Sequence, residues 1–204
     1  NSIDDIFIKN REKTVTRKIN NKPGLPLKII YAGNIGFGQG LELIVLPLAK
    51  HFKEKIIIQL VGDGSSVNFI KNGIIEKKLT NIELIPPVNR ESLLDYYNKA
   101  DVFLLQLNDI PAFKKVLPSK IFDYGSFDKP MLAGVKGEAK KFIAENLPNA
   151  FLFNPGDYKS VINELYKIMN CEQTPIDNSS FVERYSRKNI MDSMLHSIIA
   201  TFYI

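Results

Sequence analysis

The feature that most constrains the fold is an alternation of short apolar runs with longer segments of helical periodicity. The runs are rich in Ile, Val, Leu and Phe without strict polar alternation, which is typical of strands covered by helices on both faces. The runs lie at 27–32, 55–61, 81–85, 101–107, 130–135 and 150–153, and the helical segments at 40–53, 65–78, 90–99, 118–127, 137–146 and 158–169. This order predicts an α/β fold with a Rossmann-like, doubly wound parallel sheet of about six strands, which binds ligands at the carboxyl ends of its strands.

The chain divides into three predicted parts. Residues 1–26 are polar, and their last six residues contain two prolines and a glycine, so we expect a linker there. Residues 27–180 contain the alternating pattern and predict the folded domain. Residues 181–204 read as a final amphipathic helix, with Ile190 and Met194 on one face together with Ile198 and Phe202.

Composition excludes several classes of protein. The 204 residues are 45% hydrophobic, which is enough for a full core. One cysteine, Cys171, excludes an internal disulfide, and two histidines, His51 and His196, are too few for most metal or triad sites. No apolar run approaches the ~18 residues that a membrane span needs, and the start has no signal-peptide core. We therefore expect a cytoplasmic protein.

The net charge of +5 suits an anionic small ligand, an acidic membrane surface or nucleic acid. The Lys and Arg residues are spread over the whole length, however, so a solvated basic surface is the simplest interpretation. We expect no nucleic-acid partner.

Two glycine-rich turns follow the first two predicted strands. In the first, at 33–40, the backbone N–H groups around Gly33, Asn34, Gly36 and Gly38 face the carboxyl edge of the sheet, where a phosphate would bind. The glycine spacing is neither the G-x-G-x-x-G of dinucleotide-binding proteins nor that of P-loops, and a purely structural turn is the alternative. The second turn contains Gly62 and Asp63; Asp63 either binds a ligand or holds its own loop.

The segment LPSKIFDYG at 117–125 predicts a helix that opens on Pro118, with free N–H groups at Ser119 and Lys120. Lys120 adds a full charge, and Asp123 lies one turn further along the same face. Such an arrangement suits a diphosphate at the lysine and a ribose diol at the carboxylate. The alternative is an ordinary Lys–Asp pair at the surface.

A third turn, at 135–138, offers another anion site. Gly137 permits a close backbone approach at a helix start. Glu138 either binds a sugar hydroxyl or is an acidic residue that only complements the helix dipole. Because the three turns follow parallel strands, we expect them to meet at one edge of the sheet.

At this point the chain resembles the C-terminal, donor-binding half of GT-B glycosyltransferases, particularly the retaining family 4 enzymes of bacterial surface-polysaccharide synthesis. The likeness covers nearly the whole chain in the right order. The matching segments are YAGNIGFGQGLELI at 31–44, QLVGDG at 59–64, NIELIPPVNRESLLDYYNKADVFLLQL at 81–107, LPSKIFDYGSFDKPMLA at 117–133, VKGE at 135–138, NPGD at 154–157 and FVERYSRKNI at 181–190.

The resemblance implies roles for several positions. The first glycine turn faces the donor diphosphate, and Asp123 stands where the family has a glutamate that binds the ribose hydroxyls. The segment around Val88 matches the one whose backbone reads the nucleotide base, and Gly62 and Asp63 line the cleft. The resemblance also implies that 1–26 is what remains of an interdomain hinge, and that 181–204 packs back towards an N-terminal domain.

Besides Asp123, the sequence departs from the family at three positions. Many members have Arg and Lys where this chain has Asn34 and Gln39, so we expect Lys120 to supply the missing charge and to stabilise the leaving group. Lys115 replaces the first of two family glutamates, which often contacts the donor sugar. The identity of the donor sugar therefore stays open.

Two functions remain. The first is the donor-binding domain of a retaining hexosyltransferase in polysaccharide, lipopolysaccharide or capsule synthesis. This domain takes a UDP-sugar rather than a GDP-sugar and needs no metal or other cofactor. It is inactive without an N-terminal domain that binds a glycan or lipid-linked acceptor. The full protein associates peripherally with the inner face of the membrane. The second is a stand-alone nucleotide-binding or interaction module, or half of an enzyme similar to nucleotide-sugar 2-epimerases.

Overall fold

A computed structural model describes residues 2–10, 25–170 and 176–202. Within these residues, helices alternate with six strands. The strands are β1 (Leu27–Ala32), β2 (Ile56–Val61), β3 (Ile82–Ile85), β4 (Val102–Gln106), β5 (Met131–Gly134) and β6 (Ala150–Phe153). The helices are α1 (Asp5–Asn10), α2 (Glu42–Phe52), α3 (Val67–Glu76), α4 (Arg90–Lys99), α5 (Lys120–Gly125), α6 (Gly137–Asn146), α7 (Tyr158–Asn170), α8 (Ser179–Tyr185) and α9 (Arg187–Phe202), with short 3₁₀ turns at Lys53–Lys55 and Pro111–Lys115.

The strands form one parallel sheet in the order β3-β2-β1-β4-β5-β6. In the centre, Ile29 of β1 pairs with Ile58 of β2 on one side and Val102 of β4 on the other. The chain moves outward from β1 to β3 and then returns to the other side of β1, so the strand order reverses between β1 and β4. The predicted doubly wound α/β fold is confirmed, and its ligand crevice is expected at the carboxyl ends of these two strands.

The sheet is covered on both faces, which explains the continuous apolar runs in the sequence. All five residues of β4 are buried. Val102 and Leu104 belong to one core cluster with residues of α2 and α7, whereas Phe103 and Leu105 belong to a second cluster with residues of α4, α5 and α8. Successive strand side chains thus enter opposite cores, as the period of two requires.

The N-terminal segment packs on the domain more closely than the sequence predicts. Residues 5–10 form α1, and Ile3 and Phe7 are almost fully buried, with the ring of Phe7 against Tyr97 and Phe127. The folded part therefore includes residues before the predicted start at Leu27. Asn1 and residues 11–24 lie outside the described residues, and the role of 1–26 as an interdomain linker stays a prediction.

The C-terminal region contains two helices instead of the single one predicted. Ser186 has an extended ψ of 144°, which separates α8 from α9. Phe181 and Val182 of α8 are buried, whereas α9 exposes an apolar stripe. The exposed residues are Met191, Met194, Leu195, Ile198 and Ile199. The packing of this stripe on another domain stays a prediction. No helix in the described part of the chain is long and apolar enough to cross a membrane.

Candidate functional site

The first two glycine turns are joined by backbone hydrogen bonds at the carboxyl ends of β1, β2 and β3. The N–H of Gly33 donates to the carbonyl of Val61 at 2.8 Å, and the N–H of Gly62 donates to that of Ile85 at 2.9 Å. Gly62 has a φ of +144°, and a Cβ there would overlap the carbonyl oxygen of Gly33. Glycine is therefore required where these two turns meet.

A cavity of about 320 Å³ opens beside these turns. It brings together five of the predicted site residues from three separate loops, namely Gly33, Asn34, Gly62, Asp63 and Val88. Ala32, Val61, Pro87 and Leu93 complete its lining. Gly36 and Gly38 lie further along the first turn and are not among the lining residues; Gly38 packs beside the ring of Phe113.

Within the first turn, the two neutral residues that replace the family's basic pair contact each other. The Asn34 amide nitrogen donates to the Gln39 side-chain oxygen at 3.2 Å, and the N–H of Gly36 donates to the same oxygen at 3.1 Å. These side chains hold the turn by neutral hydrogen bonds. They add no positive charge for a phosphate.

The amine of Lys120 reaches this turn from α5. Its Nζ lies 2.5 Å from the position that a Cβ would take on Gly33, and 5.2 Å from the ring centroid of Tyr31. Burial lowers the pKa of Lys120, and the nearby charge of Asp123 partly opposes that shift. Lys120 therefore places a partly desolvated cation directly at the first turn, on the β1 side of the switch point.

The helix that presents Lys120 is shorter than predicted. It spans only Lys120–Gly125, and Pro118 and Ser119 precede it in a tight turn. Six residues provide a small macrodipole, so the positive charge here comes mainly from the lysine side chain rather than from the free N–H groups around Ser119.

Asp123 lies one helical turn beyond Lys120. Burial raises its pKa to about 6, and the positive charges of Arg90 and Lys120 limit the increase. The carboxyl group is therefore ionised at neutral pH but close to its protonation range. Ser119, Lys120 and Asp123 are not among the residues that line the cavity of about 320 Å³, although the Lys120 amine lies against Gly33, which does line it. An ionised carboxylate can accept hydrogen bonds from a diol.

Two predicted positions, Asp63 in the cavity lining and Gly137 outside it, make contacts that hold their own loops. An Asp63 carboxylate oxygen accepts a hydrogen bond from the N–H of Gly64 at 2.7 Å, which favours the interpretation that Asp63 holds its own loop. Gly137 has a φ of +62°, and a Cβ there would overlap the carbonyl oxygen of Lys114. The close backbone approach at Gly137 thus comes from the protein itself, and the exposed Glu138 lies beside it, outside the cavity lining.

Three supporting side chains escaped the sequence interpretation. The buried hydroxyl of Tyr124 accepts a hydrogen bond from the N–H of Ala32 at 3.0 Å, and the hydroxyl of Tyr31 donates to the carbonyl of Asn34 at 2.6 Å. The fully buried Gln106 donates to the carbonyl of Gly40. A polar residue at the end of the apolar run VFLLQ was the available signal for Gln106.

In the described residues, no group of three or more His, Cys, Asp or Glu side chains is placed to hold a metal ion. The arrangement can instead bind an anion at Lys120 and the first turn, a diol at Asp123 and a planar group beside Pro87 and Val88. The structure is thus a doubly wound domain with an open crevice at its switch point.

The family model described as glycosyl transferases group 1 matches residues 12–188, so the chain belongs to this family. The chain is 26% identical over 162 residues to the sulfoquinovosyl transferase SQD2 of Arabidopsis thaliana, covering 78% of this chain and 29% of that protein. Similarity to a glycosyltransferase, inferred from the sequence, is confirmed.

Solved structures with a similar fold include HepE of Anabaena in complex with UDP-glucose, with a TM-score of 0.71 and 16% identity over 86% of this chain and 49% of that chain. Another is the pneumococcal O-GlcNAc transferase GtfA in complex with UDP and GlcNAc, with a TM-score of 0.71 and 14% identity over 100% of this chain and 39% of that chain. These likenesses confirm the GT-B type of fold. The chain spans less than half the length of each of these relatives.

Proposed function

We propose that the cavity beside Lys120 binds the nucleoside diphosphate of an activated sugar, as the donor-binding part of a glycosyltransferase. The observation that best supports this function is the position of the Lys120 amine against Gly33, at the switch point of the sheet. Burial disfavours the charged amine. A bound diphosphate would favour it, so the site gains more from an anion than an exposed lysine would.

Each part of the donor has a matching region. The diphosphate lies between Lys120 and the first turn, the ribose hydroxyls bind Asp123, and the base packs beside Val88 and contacts its backbone. The cavity of about 320 Å³ is at the lower end of the range for small-molecule sites, so it holds the nucleoside while the sugar extends over the neighbouring loops. Glu138 is the candidate to bind a hydroxyl of the donor sugar.

A UDP-sugar is the donor that the relatives favour, since HepE was solved with UDP-glucose and GtfA with UDP and GlcNAc. During transfer, Lys120 stabilises the negative charge that develops on the leaving diphosphate, and no metal ion is needed for that step. The family likeness favours retention of the anomeric configuration.

The acceptor is a glycan or a lipid-linked sugar in polysaccharide, lipopolysaccharide or capsule synthesis. A further domain binds it, because this chain corresponds to less than half of the relatives' length. The isolated chain therefore binds donor without turnover, and the whole protein works in the cytoplasm at the inner face of the membrane.

Calorimetry of the chain with UDP and with GDP tests this function. We expect UDP to bind, and we expect Lys120→Ala to weaken it about tenfold to a hundredfold, the range for lost charge-assisted hydrogen bonds. Lys140→Ala is the control, since Lys140 is exposed on α6 and should have no effect. A preference for GDP would contradict the choice of base. Binding of neither nucleotide, or unchanged binding in Lys120→Ala, would contradict the site.

A further inference from the structure

The side chain of Lys120 spans the carboxyl edge of the sheet at the end of β1. Its neighbours on α5, Ile121 and Tyr124, belong to one core cluster, whereas Tyr31 of β1 belongs to the cluster on the opposite face. Between the two, the Cε and Nζ of Lys120 lie 2.6 and 2.5 Å from the position that a Cβ would take on Gly33. A side chain in place of Gly33 would therefore displace the lysine from this edge.

The ring of Tyr31 faces the amine at the far end of this span. The Nζ of Lys120 lies over the ring at 5.2 Å from its centroid, inside the about 6 Å within which an aromatic face attracts a cation. Among the residues that the structure describes, the Lys120 amine forms no hydrogen bond and no ion pair. The ring thus attracts the ammonium without using its N–H groups as hydrogen-bond donors, and these stay available to an anion.

Tyr31 is itself fixed on several sides. Its side chain is almost fully buried, and its backbone pairs with Leu60 of β2. Its hydroxyl donates to the carbonyl of Asn34 at 2.6 Å, and Asn34 lines the cavity. One immobile side chain therefore contacts both the cation and the turn on which we place the diphosphate.

We propose that Tyr31 is a positioning residue for nucleotide binding, because the face of its ring holds the charged amine of Lys120 against the first turn before a diphosphate binds. The inference rests on the proposed function, in which this amine binds the diphosphate. A lysine that is already in place loses less side-chain entropy on binding than one that samples many rotamers. Tyr31 is buried, so it acts through Lys120 and not on the nucleotide itself.

Tyr31→Phe variants with increasing fluorination of the ring test the proposal. Fluorine withdraws electron density from the ring face and weakens its attraction for a cation, while the size of the ring changes little. By calorimetry we expect UDP to bind progressively more weakly along the series, about three- to tenfold more weakly at its end than in unfluorinated Tyr31→Phe. Every member lacks the hydroxyl, so the lost bond to Asn34 does not affect the comparison. A purely structural role would give equal affinities throughout.

The same series in the Lys120→Ala background is the matched control. Without the amine, fluorination should leave UDP affinity unchanged, because the effect of the ring acts through Lys120. Should the most fluorinated variant fail to fold, the less fluorinated ones still define the trend in both backgrounds.

The outcomes separate this proposal from the function on which it rests. Failure of the parent chain to bind UDP would contradict the proposed function. UDP binding by the parent, together with equal affinities along the fluorinated series, would overturn only the role of Tyr31. A decrease that persists in the Lys120→Ala background would also overturn that role, because the ring would then act on a group other than the amine.

Discussion

The turn after β1 and the turn after β5 have the same place in the fold, since each joins a buried strand to a helix at the carboxyl edge of the sheet. The ionisable side chains beside the two turns lie in different environments. Beside the first, burial lowers the pKa of Lys120 and raises that of Asp123 to about 6. Beside the second, a hydrogen bond from Lys136 is the largest cause that lowers the pKa of the exposed Asp109.

The difference indicates what each turn is for. At the turn after β1, two ionisable groups are held where burial disfavours their charges, an arrangement that costs stability and that a bound ligand can offset. At the turn after β5, the charges are paired in solvent and the glycine packs against the protein's own backbone. The difference supports the proposal that the first turn binds a ligand, whereas the second serves mainly the fold.

The largest expected effect comes from Gly137→Ala, which tests the structural role of the turn after β5. The positive φ and the overlap with the Lys114 carbonyl should together lower the free energy of unfolding by about 2–4 kcal/mol. UDP affinity of the folded protein should not change. Urea unfolding and UDP calorimetry measure the two quantities.

Gly36→Ala is the matched control for that variant. A Cβ at Gly36 meets only the side-chain amides of Asn34 and Gln39, which can move, and Gly36 has no positive φ. We expect a loss below about 1 kcal/mol. Equal losses in the two alanine variants would remove the distinction between the turns.

Asp123→Asn should give opposite changes in stability and binding. Because the folded-state pKa of Asp123 is raised from 3.8 to about 6, its contribution to stability is complete below the unfolded pKa and is lost as the pH rises through the folded one. Removing the charge should therefore increase the free energy of unfolding by about 1–2 kcal/mol at neutral pH, after allowance for solvent screening. UDP should bind more weakly.

Urea unfolding of the parent and of Asp123→Asn at neutral pH and at about pH 4 measures this effect of the charge. The gain in stability should largely disappear at about pH 4, where Asp123 is protonated in the parent. A variant that is less stable than the parent at neutral pH would show that Asp123 stabilises the fold. The turn after β1 would then resemble the turn after β5.

The sheet, and the meeting of the turns at Gly33 and Gly62 at one edge of it, could be predicted because both follow from local patterns. Val88 was predicted only from the family resemblance. Apolar runs set the strands, and parallel strands bring the turns that follow them to one edge. Other features depend on residues distant in the sequence. One example is the N-terminal segment at 2–10. It packs on the domain because the ring of Phe7 contacts those of Tyr97 and Phe127.

The same limit applies to the glycine turns. The sequence shows a glycine after a strand at both Gly33 and Gly137, and it offers the same anion-binding interpretation for each. The group beside the glycine comes from a segment distant in the sequence. Beside Gly33 it is the amine of Lys120, and beside Gly137 it is the carbonyl of Lys114. Only the three-dimensional arrangement distinguishes the two.

The smallest effect is expected for Glu138→Gln, which asks whether the turn after β5 contributes to binding at all. Glu138 is exposed outside the nucleotide cavity, so UDP affinity should stay within about twofold of the parent. UDP-glucose should bind about threefold more weakly, because a neutral amide is a poorer acceptor for a sugar hydroxyl than a carboxylate. Glu145→Gln, at an exposed position of the same helix, is the control. Equal weakening of UDP and UDP-glucose would put Glu138 in the nucleotide site, whereas no effect on either would leave the turn after β5 a structural element alone.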